Sequence, residues 1–121
     1  MAQKLDFDST AEINIDDIRE GVDYICEFTA TDPDDDPYDF TGCTITITFK
    51  DEVDTSNADI VFSTTSGEIT IDGETVTWNI LDTKTAGKYR KYNYTWGIEI
   101  IDADGFKMYP VHGKAKIRNK V

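Results

Sequence analysis

The chain reads as all-β, an antiparallel β-sandwich of about seven or eight short strands. Three features predict it. Apolar and polar residues alternate with a period of two over residues 43–50 and 92–100, the mark of a strand with one buried face. Clusters of Gly, Pro, Asp and Asn that favour turns recur about every 8–12 residues. No segment carries an apolar stripe at helical spacing for more than a single turn. The 121 residues suit one domain, and a domain of this size buries about two-thirds of its unfolded surface.

Residues 1–10 are mostly polar and acidic, with a small apolar nub at Leu5 and Phe7, and they read as an N-terminal arm. Residues 11–121 then form a single sandwich domain. A first strand over 12–19 carries Ile13, Ile15 and Ile18, and Gly21 and Asp23 break it. A second strand over 22–31 places Val22, Tyr24, Cys26, Phe28 and Ala30 on one face. Residues 32–39 hold two prolines and five aspartates, which excludes a strand interior. Asp32, Asp34 and Asp36 alternate as in a calcium loop. However, Pro37 stands at the sixth position, where an EF-hand has Gly, and Cys43 at the twelfth, where it has Glu. The segment therefore reads as a solvated loop.

Over 43–50, Cys43, Ile45, Ile47 and Phe49 alternate with three threonines, and β-branched residues suit a pleated, half-buried surface. A short strand follows over 59–63. Residues 68–72 and 75–80 make a hairpin through Asp72-Gly73, a strong turn signal, with Val76, Trp78 and Ile80 facing in. Residues 81–85 form one helical turn, ended by Gly87. The last hairpin has Tyr92, Tyr94, Trp96, Ile98 and Ile100 on its heavy face, with Asn93, Thr95, Gly97 and Glu99 opposite. Asp102-Ala103-Asp104-Gly105 supplies the turn, and Phe106 opens the return strand. The inward set there runs Phe106 and Met108, then Val111, Gly113, Ala115 and Ile117. Parity slips by one at Pro110, as a β-bulge would make it.

The net charge is −12 and it is unevenly spread. Residues 1–83 hold 21 acids and 3 bases; residues 84–121 hold 3 acids and 9 bases. So acidic a chain is a poor partner for nucleic acid, where affinity rests on neutralising phosphates. Two arrangements account for the split. Basic strands lie beside acidic ones and neutralise them within the fold, or the module is bipolar and docks on a charged partner. No apolar run could span a membrane, and no secretory signal is evident, so the expected compartment is the cytoplasm or a non-secretory route of release. Cys26 and Cys43 face inward and read as free thiols acting as small hydrophobes, with neither a disulfide nor a metal expected.

Catalytic chemistry finds little to start from. His112 is the single histidine, and it alternates outward beside Lys114 and Lys116. No serine or cysteine sits in a nucleophile motif, and no glycine-rich loop opens a helix. The expectation is no enzyme, no cofactor and no catalytic residue. Tyr92, Tyr94, Trp78 and Trp96 could stack on sugars, but their alternation with polar residues favours core packing.

Four segments, taken in order, carry a family likeness. They are Ile18-Arg19-Glu20-Gly21-Val22-Asp23-Tyr24; Tyr38-Asp39-Phe40-Thr41-Gly42-Cys43-Thr44-Ile45; Gly67-Glu68-Ile69-Thr70-Ile71 with Thr75-Val76-Thr77-Trp78-Asn79-Ile80; and Ala86-Gly87-Lys88-Tyr89, residues 98–105, and Gly113-Lys114-Ala115-Lys116-Ile117. The chain resembles small phage virion proteins related to the N-terminal domain of phage baseplate upper proteins, an immunoglobulin-like β-sandwich family. The resemblance implies a structural component of a tailed bacteriophage virion, an adaptor or a fibre- or baseplate-associated module. It implies other virion proteins of tail, baseplate, fibre or capsid as partners, a homo-oligomer, and residence in the virion or, during assembly, the host cytoplasm. Neither nucleic acid nor membrane is implied as a partner. The charge split singles out Asp34, Asp35 and Asp36, with Lys114, Lys116 and Arg118, as contact residues. Strand edges and the arm would pair with neighbouring subunits. The alternative is a carbohydrate-binding sandwich used in host attachment, with an aromatic such as Tyr38 at a loop tip.

Overall fold

The computed structural model describes residues 11, 12, 15–30, 36–51, 58–88 and 93–118. The arm over residues 1–10, and Ile13, Asp32, Asp34, Asp35 and Tyr92, lie outside the described residues. Two sheets stack with their apolar faces together. The larger runs in the order β1 (Ala11–Glu12), β9 (Lys107–Arg118), β8 (Tyr94–Ile101), β4 (Thr44–Asp51), β5 (Ala58–Ser63), and β2 (Ile15–Arg19) also pairs β9. The smaller runs β3 (Tyr24–Phe28), β7 (Thr75–Ile80), β6 (Ile69–Asp72). A four-residue helix, α1 (Asp82–Thr85), joins the sheets.

Period-two sequence becomes period-two burial. Along β4, Ile45, Ile47 and Phe49 are buried, and along β8, Tyr94, Trp96, Ile98 and Ile100 are. Every strand pairing is antiparallel except that of β1 and β2, which run parallel to β9. The first and last strands share no hairpin, so no short connection dictates their relative direction.

The bulge at Pro110 is present. Ile98 pairs Val111 and Ile100 pairs Met108, so Glu99 alone stands opposite Tyr109 and Pro110. Two details of the turns differ from expectation. Asp72 pairs Thr75, making Gly73 and Glu74 the loop, with Gly73 at φ 59°, where a Cβ would be strained. Phe106 is exposed rather than inward. The turn absorbs it: Asp102 N–H donates to Phe106 O at 3.0 Å, and the Phe106 amide donates to Asp102 Oδ1 at 2.9 Å.

Aromatic rings seal the interface. Trp78 of the smaller sheet stacks on Trp96 of the larger at 5.9 Å between centroids. It also meets Phe49 at 6.1 Å and Phe62 at 5.4 Å edge to face, geometries that add to area burial. Tyr94 is fully buried, yet its hydroxyl donates to Lys88 O at 2.6 Å. One end is stapled by side chains. Gly21 N–H donates to Thr85 Oγ1 at 3.0 Å, Gly87 N–H to Glu20 Oε2 at 3.1 Å, and Asp82 N–H to Asp23 Oδ1 at 2.6 Å. Asp23 thereby satisfies a free amide at the start of α1 from outside it.

Candidate functional site

The outer face of the larger sheet carries the accessible chemistry. Beyond the bulge, β9 buries Val111, Gly113, Ala115 and Ile117 and turns His112, Lys114, Lys116 and Arg118 the other way. Lys114 and Arg118 are exposed and Lys116 is half-buried. Arg19, on β2, is exposed opposite Arg118. Side chains two apart on a strand stand about 7 Å from one another, so the three predicted bases form one positive row. Asp36 is exposed in the connection between β3 and β4, in a different element from that row. The row is not a sheet edge. β1 and β2 occupy the free side of β9, so pairing of the last strand's edge with another subunit is replaced by pairing within the chain. At the far side of the sheet, Lys84 Nζ donates to Val61 O of β5 at 2.8 Å, and edge lysines discourage further strand addition.

Beside the row lies a feature that the sequence reading missed. An open groove of about 600 Å³ sits over the middle of β8. Its floor is Gly97, flanked across the strands by Thr48 and His112. A Cβ at Gly97 would come within 3.3 Å of Val111 O, tighter than an ordinary contact, so a larger residue would press on β9, and glycine keeps the floor of the groove low. Thr46, Lys50, Thr95, Glu99 and Tyr109 complete the polar lining. Tyr109 is 63% exposed, and its hydroxyl donates to Glu99 Oε2 at 2.8 Å. That bond, and then the nearby carboxylate charge, push the Tyr109 phenol above its ordinary range.

Other candidates fall away from the surface. Tyr38 is 5% exposed and packs on Phe40 at 5.0 Å, so it is no loop-tip contact for a sugar. Its amide donates to Ala30 O at 2.9 Å, which ties Tyr38 to the chain just past β3. Burial pushes its phenol far up, helped by the Cys43 thiol 3.9 Å away. Trp78 and Trp96 face each other inside. Cys26 is half-buried and Cys43 buried; both are free, and burial raises both thiols. Asp39, by contrast, is held below the usual carboxylate range by the hydroxyl and amide of Thr41. Among the described residues, no group of three or more His, Cys, Asp and Glu side chains gathers to hold a metal. Among them too, no helix is long and apolar enough to cross a membrane.

Set against known proteins, the chain matches no family model and no curated relative.

Proposed function

We propose that this chain is a structural, non-catalytic component of a tailed bacteriophage particle, an adaptor or a fibre- or baseplate-associated module. It works by surface complementarity with other virion proteins and with copies of itself, without a cofactor. The observation that carries this reading is the positive row of Lys114, Lys116 and Arg118 on one accessible face of a chain whose net charge is −12. Complementary potentials fix register and speed encounter more than they add affinity. An acidic surface, including that of a second copy, is the matching partner. The phage assignment rests on the ordered likeness of the four segments, and the immunoglobulin-like topology belongs to the same proposal. Residence in the virion, and in the host cytoplasm during assembly, follows from it.

The test has two arms. Purified particles from the phage that encodes the chain are analysed by mass spectrometry; the chain is expected at a fixed copy number, and its absence would refute the virion role. Lys114, Lys116 and Arg118 are then reversed to Glu, and assembly is followed by light scattering and cross-linking. Loss of assembly, with an unchanged circular dichroism spectrum, is expected. Unchanged assembly would refute the electrostatic contact.

A further inference from the structure

We infer that the groove over Gly97 is a binding site for a neutral oligosaccharide, with Tyr109 as its stacking platform. This inference does not rest on the assembly reading.

Four observations point there. First, Tyr109 is an exposed aromatic held still. It projects from the bulge, opposite Glu99, and the 2.8 Å bond to Glu99 fixes its hydroxyl. A free surface tyrosine would give up rotamer freedom on binding a ligand, and this one has already given up part of it. Second, the hollow lets a ligand reach backbone. Gly97 lines the groove without a side chain, so the floor between Thr48 and His112 is backbone. Third, the groove mixes signs. Glu99 brings a carboxylate at one end and Lys50 an ammonium at the other, so a ligand that spans the groove and carries one sign throughout would meet a like charge. A neutral ligand with many hydroxyls meets none, and it can give hydrogen bonds to Glu99 and take them from Lys50. Fourth, Thr46 and Thr48 each present a hydroxyl that can donate or accept, and Thr95, whose hydroxyl donates to Lys50 O at 3.4 Å, still offers lone pairs.

A pyranose answers this chemistry. Its C–H face lies on an aromatic ring, and its equatorial hydroxyls reach polar groups at the rim. The site is shallow and open, so a single copy would bind in the millimolar range, and useful strength would come from several copies acting together.

The experiment uses the full chain, biotinylated and displayed on streptavidin, on an array of neutral, sialylated and sulfated glycans. Neutral glycans are expected to bind. The strongest neutral glycan is then titrated into the 15N-labelled chain, with shifts expected at the amides of Thr48, Gly97 and His112. Tyr109→Ala should weaken binding about tenfold, whereas Tyr109→Phe, which keeps the ring but loses the bond to Glu99 that holds it still, should weaken it about threefold. Circular dichroism of both variants verifies the fold. The Lys114, Lys116 and Arg118 reversal should leave glycan binding unchanged, which separates this site from the assembly row. Three results would overturn the inference. They are no neutral glycan bound, amide shifts confined to another face, or a well-folded Tyr109→Ala that binds as the parent does.

Discussion

Along β8, in the larger sheet, buried and half-buried positions alternate from end to end; along β3, in the smaller sheet, no position is fully buried. Ile98 on β8 is 6% exposed and Ile25 on β3 is 72% exposed. The residue type is the same and the strand propensity is the same. What differs is place. β8 has a neighbour on each side and the opposing sheet beneath it, whereas β3 has one neighbour and turns Ile25 outward. Strand propensity is therefore a local permission, and burial supplies most of the stability. The larger sheet is the platform that presents the outer face. The smaller sheet is its lid.

Mutation should separate the two sheets. Phe49→Ala, in the larger sheet, removes a ring that touches Phe62, Trp78, Tyr94 and Trp96. It should cost about 3–5 kcal/mol by denaturant unfolding, and a cost near 1 kcal/mol would mean that the platform is not where the stability lies. Thr85→Val keeps the shape at the stapled end but strips the acceptor of the Gly21 amide. A loss of about 1 kcal/mol is expected, read as a lower denaturation midpoint at constant slope. Ile25→Ser should change stability by less than about 0.5 kcal/mol. A larger loss would show that β3 is covered in solution, by a second copy or another chain.

Legibility in the sequence followed the same divide. The platform strands β4 and β8 could be read directly, because strict alternation over residues 43–50 and 92–100 has one structural meaning. Pro110 announced its bulge, because a proline and a parity slip coincide there. The parallel docking of β1 and β2 was not legible, since period two says which face is buried and nothing about the direction of the partner strand. Phe106 was misassigned because hydrogen bonds to Asp102, invisible in a pattern of hydropathy, hold it in the turn. Tyr38 was misplaced by its aspartate neighbours, which suggest a wet loop, while its own ring packs inward on Phe40. The groove escaped entirely. Gly97 is one small residue in the polar half of a strand, and the hollow exists only once Thr48 and His112 are brought beside it.

The two sheets close on each other through their large aromatic rings. A double-mutant cycle on Trp78→Leu and Trp96→Leu addresses it most directly, because these rings stack at 5.9 Å from opposite sheets. A coupling energy of about 0.5–1.5 kcal/mol is predicted. Strict additivity, within about 0.3 kcal/mol, would contradict that closure, because it would mean that the two rings never meet across the interior.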